Sequence, residues 1–214
     1  MDIKNKVIQE FNIHLLHDEK PSLYFNEKDK EGLFSSGYPF TLLGALKKTE
    51  QNPKYHPEGN CWNHTMQVVD NAALYKGECS VPEVFMWSAL LHDIGKPSTT
   101  KVRHGKITAY DHDKVGEKLA ADFLSFFKFE KDFIRKVCKL VRWHMQFLIV
   151  IKELPFADIK TMKEEVDLNE IALLSLCDRL GRGVITEEAI NEEKKNIQLF
   201  LKKCKVTAKG SVIT

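Results

Sequence analysis

Apolar residues recur three, four and seven positions apart along most of this 214-residue chain, the spacing that draws one stripe down an α-helix. No other feature constrains the fold as strongly, because side chains that repeat every 3.6 residues cannot all face one side of a strand. The pattern predicts helices over about residues 2–15, 39–48, 81–94, 111–127, 131–146, 156–165, 167–180 and 186–203, and another that starts near Gly59 and carries Met66, Val68 and Ala72. The polar stretch from the end of the first helix through Gly37 reads as irregular. Pro82 suits a first helical turn, where its missing N–H is not needed, and Gly95-Lys96-Pro97 reads as a helix stop. Asp167 and Thr186 read as N-caps, the latter followed by Glu187 and Glu188. The rhythm breaks once, at residues 98–110, where Thr99, Thr100, Val102 and Ile107, Thr108, Tyr110 flank His104-Gly105 and a short β-hairpin fits. The expected class is all-α with that one hairpin.

Composition narrows the function. Lys and Arg number 32 against 30 Asp and Glu, a formal net charge of +2, and a dedicated nucleic-acid binder would carry a strong basic excess. The five cysteines, Cys61, Cys79, Cys138, Cys177 and Cys204, form no CxxC pair. That pattern excludes a thiolate zinc site and a disulfide framework, and suggests buried thiols in a reducing compartment. The first residues mix acids and bases where a signal peptide needs an apolar region. The longest wholly apolar run, Phe147 to Ile151, is far short of the ~20 residues that span a bilayer. The expectation is a soluble, cytoplasmic protein with no membrane partner.

The eight histidines are the informative residues. His64 lies four before Val68, His112 three before Val115, and His144 four after Leu140, while Asp178 follows Leu174 by four. Each therefore projects from an inward helix face. His92-Asp93 closes the segment that contains Phe85, Trp87 and Leu90. One inward histidine can be a core residue whose nitrogens are satisfied by neighbours. An inward Asp is harder to accommodate, because an unpaired buried carboxylate is costly. A divalent cation resolves the set, since imidazole and carboxylate are its ligands and helix bundles build such sites from inward side chains. Nitrogen and oxygen donors without thiolate suit Fe, Mn, Zn, Ni or Co, and Mg at an oxygen-rich position.

At these residues the chain resembles the HD superfamily of metal-dependent phosphohydrolases. His64, the doublet His92-Asp93 in LLHDIGKP and Asp178 in LCDRLGR reproduce its H…HD…D pattern over roughly residues 56–182. The strings HPEGNCWNHTMQVVDNA and ITAYDHDKVGEKLA also resemble the HD region of bacterial tRNA CCA-adding enzymes. The residues before His56 are too few for the nucleotidyltransferase head of those enzymes and lack its acidic strand motif. On this resemblance, residues 1–55 are a helical extension packed on the core, 56–182 the HD domain, and 183–214 a C-terminal helix and tail.

The resemblance implies His64, His92, Asp93 and Asp178 around one metal, with His112 and His144 completing a second site that Asp93 bridges. Two divalent ions are therefore expected. The implied activity is hydrolysis of phosphate mono- or diesters of a nucleotide or similar small molecule, including 2′,3′-cyclic nucleotides and dinucleoside polyphosphates. Asp93 and Lys96 would be catalytic, Lys96 by neutralising charge on the phosphoryl group. Its spacing equally fits a lysine favoured at a helix C-terminus. His112 or His144, if not a ligand, could protonate the leaving group. Arg182 is the candidate phosphate grip, Arg179 more a surface ion pair, and His56 and Arg103, with Lys101 and His104, candidate rim residues. Residues 187–195 read as a solvated helix face. A di-iron oxygenase and a non-catalytic metal- or nucleotide-binding module are the alternatives.

Overall fold

The computed structural model describes residues 3–206. Helices α1 (Ile3–His17), α2 (Pro21–Lys30) and α3 (Phe40–Gly44) precede α4 (Cys61–Tyr75), α5 (Pro82–Leu91) and the short α6 (Lys96–Thr99). The strands β1 (Lys101–Arg103) and β2 (Lys106–Thr108) follow, then α7 (His112–Phe126), α8 (Lys131–Trp143), α9 (Gln146–Ile151), α10 (Ile159–Glu165), α11 (Leu168–Leu180) and α12 (Glu187–Val206). The fold is an all-α bundle with one hairpin.

Helix α5 is the axis of the bundle. Every residue from Val84 to Leu91 is buried, as a helix apolar on all sides must be, and α1, α4, α8 and α11 pack around it. The Trp87 indole N–H donates to Asn12 Oδ1 of α1 at 3.0 Å. Phe11, Phe25, Phe34 and Phe40 from the first segments lie in the same apolar cluster as Trp87, Phe123 and Phe200. At roughly 1.5–3 kcal/mol for each buried side chain of this size, these rings tie the N-terminal helices firmly to the rest.

Three local expectations are corrected. The polar stretch after α1 contains α2, which buries only Pro21, Ser22, Tyr24 and Phe25. So few anchors leave no periodic stripe to read; instead Asp70 of α4 accepts from the Ser22 backbone N–H at 3.0 Å and its hydroxyl at 2.7 Å. The fourth predicted helix ends at Leu91 rather than Ile94, and Lys96-Pro97 opens α6 instead of ending α5. Pro97 lies in a first turn, where no N–H is needed. The segment 131–146 is broken at His144-Met145 into α8 and α9.

The hairpin forms as expected, with Val102 opposite Ile107 and positive φ at both His104 and Gly105, the type I′ turn that matches strand twist. Asp167 caps α11 by accepting from the Asn169 and Glu170 N–H groups, and the Thr186 hydroxyl accepts from Ala189 N. Asp2 and the tail 207–214 lie outside the described residues. Among the described residues no disulfide forms, and Cys61, Cys138, Cys177 and Cys204 are buried. Among the described residues, no helix is long and apolar enough to cross a membrane.

Candidate metal centre

The residues read from the sequence as ligands converge from five segments. His64 comes from the first turn of α4, and His92 and Asp93 from the turn between α5 and α6. His112 opens α7, His144 follows α8, and Asp178 sits in the last turn of α11. All six are buried. Two glycines allow this convergence. A Cβ on Gly95 would lie 2.1 Å from His112 O and 2.6 Å from Gly116 N, so the His92-Asp93 turn can sit against α7 only with glycine there. A Cβ on Gly181 would meet Val68 Cγ2 at 2.6 Å, so the end of α11 reaches α4 by the same means.

Asp93 is the hub. Its Oδ2 lies 3.2 Å from His92 Nε2 and 3.7 Å from His64 Nε2, and its Oδ1 lies 3.5 Å from His112 Nε2 and 3.8 Å from His144 Nε2. Asp178 Oδ1 is 3.0 Å from His64 Nε2. Among the described residues, three groups of potential ligands have their donor atoms within 4.8 Å of one another, and two of them, His64/His92/Asp93 and Asp93/His112/His144, share Asp93; the third is His56/Glu58/His64.

The outward nitrogens determine what the inner ones can do. His64 Nδ1 donates to Gly181 O at 3.0 Å, His92 Nδ1 to Ala89 O at 2.8 Å, His112 Nδ1 to Ala109 O at 2.6 Å and His144 Nδ1 to Val141 O at 2.6 Å. A carbonyl only accepts, so in each ring the proton is on Nδ1, and a neutral ring presents a bare lone pair at Nε2. His112 Nε2 and His144 Nε2 are 3.2 Å apart. Two lone pairs at that distance repel unless a proton or a cation lies between them. Burial disfavours the proton: it lowers the His112 pKa, and burial together with the neighbouring His112 lowers that of His144 to about 4. His64 Nε2 and His92 Nε2 are also buried without an aligned hydrogen bond. The donor set therefore fits a cation. The same burial disfavours His112 and His144 as proton donors.

Electrostatics point the same way. Burial pushes the Asp93 carboxyl up, but His92 and Lys96 outweigh it and hold it well below the usual range. Asp178 is likewise held well below despite burial, chiefly by Arg182 and His64. Burial would lower the His64 pKa, yet Asp178 and Glu58 raise it. The cluster thus draws positive charge inward. Three helices, α5, α8 and α11, end at the site, where C-terminal ends carry partial negative charge, while α4, α6 and α7 begin there.

Lys96 Nζ lies 2.7 Å from Asp93 Oδ2 and 2.7 Å from Gln51 Oε1. It opens the four-residue α6 and follows the end of α5, so its ammonium is placed by Asp93 and Gln51. Above the cluster lies a cavity of 510 Å³ whose lining includes Gln51, His56, Asp93, Lys96, Tyr110 and Arg182. Arg182 Nη2 is 3.4 Å from Asp178 Oδ1, and its Nε is buried without a partner. Arg179 lines the cavity but is tied through Nε to Glu193 Oε1 at 2.8 Å, so Glu193 is an ion-pair partner and not part of a solvated face. Arg103, Lys101 and His104 lie outside the lining, where Lys106, Ile107 and Thr108 represent the hairpin. The Arg103 guanidinium instead lies 5.1 Å from the centroid of the Tyr110 ring. A larger cleft of 690 Å³ elsewhere is bordered by the exposed Arg135, Lys136 and Glu164 and is remote from the histidines.

Sequence reasoning missed Glu58. Its side chain is fully buried, and Oε1 lies 2.8 Å from His56 Nδ1 and 3.0 Å from His64 Nδ1. Burial would raise its pKa, but hydrogen bonds from His56 and His64 lower it to about 2. An acid spaced between two histidines in HPEG was the available signal. Gln51 carried none, since its role depends on the loop before α4.

A family model described as the HD domain matches residues 61–183. The chain belongs to the HD domain family. That membership places it in a superfamily of metal-dependent phosphohydrolases. The chain is 33% identical over 130 residues to the CC-adding tRNA nucleotidyltransferase of Thermus thermophilus, covering 60% of this HD protein and 29% of that one. It is 29% identical over 117 residues to the multifunctional CCA protein of Actinobacillus pleuropneumoniae (53% and 27%), and 24% identical over 195 residues to that of Methylococcus capsulatus (91% and 39%). The HD protein thus spans less than two-fifths of these relatives.

Proposed function

We propose that this HD protein is a phosphohydrolase that cleaves a phosphate mono- or diester of a nucleotide with the aid of two divalent ions. His64, His92, Asp93 and Asp178 would hold one ion and Asp93, His112 and His144 the other, with Asp93 shared. The carrying observation is that four Nε2 lone pairs, oriented by main-chain carbonyls, close on one carboxylate at the floor of a cavity. When bound, the ions polarise the phosphoryl group and make a nucleophile available near neutral pH.

The chain's own residues supply the rest. Lys96, held by Gln51 and Asp93, places an ammonium where charge builds on the phosphoryl oxygens. Arg182 lines the cavity and brings a guanidinium that can grip phosphate. His56 reaches the cavity with its Nδ1–H committed to Glu58. Arg103 acts on the cavity only through Tyr110. A small phosphorylated substrate needs this local cationic centre and no basic surface, in keeping with a net charge of +2. Relatives named for tRNA nucleotidyl transfer agree with a nucleotide-type substrate.

The test is phosphate release from a panel of nucleotides and cyclic nucleotides with Mn²⁺, Co²⁺, Ni²⁺ or Mg²⁺. Turnover should disappear in His92→Ala and Asp93→Ala. No turnover on any ester at full metal occupancy would sink the proposal.

A further inference from the structure

The cavity has two unlike halves. Its floor is ionic, with Asp93, Lys96, Asp178 and Arg182, whereas Tyr55, Ile107, Tyr110, Met145 and Leu148 also line it. Ile107, Met145 and Leu148 are half-buried, yet they belong neither to the apolar core nor to the residues packed against it. Their apolar surface is given to the cavity. The two tyrosine rings are open as well, with Tyr110 63% and Tyr55 52% exposed.

Tyr110 is held in place from two directions. Asp111, the next residue, takes φ 59, a left-handed conformation that Asp adopts more readily than most non-glycine residues. It turns the chain between Tyr110 and His112. On the other side, the Arg103 guanidinium lies over the ring. Arg103 is outside the cavity lining and Tyr110 is within it, so the guanidinium backs the ring from the hairpin side. Lys54 stands in the same relation to Tyr55, with Nζ 5.7 Å from the ring centroid and outside the lining. Each ring is thus braced by a cation and open toward the cavity.

We infer that Tyr110, with Tyr55, is a stacking platform for the base of a nucleoside phosphate whose phosphate rests on Lys96 and Arg182; the inference rests on the proposed phosphohydrolase site. A cavity of 510 Å³ falls within the roughly 300–1,000 Å³ of small-ligand sites. Apolar walls and open rings supply contact area without a set of fixed polar partners, and stacking of this kind tolerates any base because every base has a π-face. The platform separates nucleoside phosphates from sugar phosphates more than it separates one base from another.

The test is calorimetric titration of the Mn²⁺-loaded protein with AMP, CMP and ribose 5-phosphate, each as the phosphonate analogue that cannot be hydrolysed. The wild type is compared with Tyr110→Leu and Tyr55→Leu, whose exposed positions spare the core. AMP and CMP should bind similarly and more tightly than ribose 5-phosphate. Tyr110→Leu should weaken both nucleotides at least about five-fold, the low end of one base–aromatic stack, and leave ribose 5-phosphate unchanged. Equal losses for all three ligands, or no preference for AMP over ribose 5-phosphate in the wild type, would overturn the platform. Binding needs no turnover, so the two readings fail separately. An inactive protein that keeps the AMP preference sinks hydrolysis alone, and one that hydrolyses AMP equally well as Tyr110→Leu sinks the platform alone.

Discussion

Replacing Lys96 by Met should make the protein less stable and its metal tighter. Lys96 Nζ sits 2.7 Å from Asp93 Oδ2, and the two side chains are 13% and 1% exposed. At an effective dielectric of about 20 the attraction at this distance is roughly 6 kcal/mol before desolvation. Removing one partner of such a pair strands the other charge, at a net cost of about 3–5 kcal/mol. For a chain of this size that lowers the metal-free melting temperature by roughly 6–20 °C. A cation on Asp93 would offset the stranded charge, so the loss in the Mn²⁺-loaded protein should shrink by at least half. The thermodynamic cycle then requires Lys96→Met to bind Mn²⁺ about ten-fold or more tightly than wild type, while phosphate release falls. Melting in EDTA and in excess Mn²⁺, with calorimetric titration of the metal, measures every side of the cycle. Equal melting losses in both conditions, or weaker Mn²⁺ binding, would refute Asp93 as a ligand that Lys96 competes for.

Three further substitutions probe the frame of the site. His144→Ala should reduce bound metal from two ions per chain to one by elemental analysis; two ions retained would remove His144 from the ligand set. Glu58→Gln should weaken metal binding about 10–100-fold by loosening His64. Its effect on metal-free stability should follow pH with a definite sign: the folded pKa of about 2 lies below the ordinary 4.5, so the Glu58 contribution is complete above about pH 4.5 and lost as pH falls toward 2. Acid titrations of both proteins followed by circular dichroism should converge over that window, and a constant offset would contradict it. Gly95→Ala puts a methyl 2.1 Å from His112 O and should destabilise by more than about 3 kcal/mol; a urea midpoint near that of wild type would mean the turn is not packed so closely.

The periodicity made most of the bundle readable, and the reasons it failed elsewhere are local. Helix α5 could be recognised because Val84 to Leu91 leave it no polar face. Helix α2 could not, because Asp70, 48 positions from Ser22, supplies what its few apolar residues do not. The end of α5 was misplaced because Gly95-Lys96-Pro97 signals a boundary without saying which side the helix lies on. The ligand positions were legible for a physical reason: an imidazole or carboxylate on an inward face stands out against an apolar stripe. Glu58, Gln51 and Tyr110 lie in loops or at their edges, where no period sets an expected direction. The rim was less legible, because a hairpin of three-residue strands does not reveal which side chains turn toward the cavity, and Arg103 lies behind Tyr110, outside the lining.

The placement of the histidines at helix ends explains how so polar a cluster survives in the interior. Each ring must satisfy its Nδ1–H, and the last carbonyls of a helix lack intrahelical partners. Ala89 lies in the last turn of α5 and Val141 in the last turn of α8, Ala109 precedes α7, and Gly181 follows α11. These four carbonyls orient the four rings. The supporting shell is therefore written largely in where helices stop and not in which side chains surround the centre. His64 is the exception that fits the rule. It lies inside the first turn of α4, where the carbonyl three residues back belongs to the helix, so its partners must come from elsewhere. Gly181 O arrives from the end of α11 and Glu58 from the loop before α4, which makes Glu58, among the described residues, the one side chain that accepts at the Nδ1 of a ligand ring.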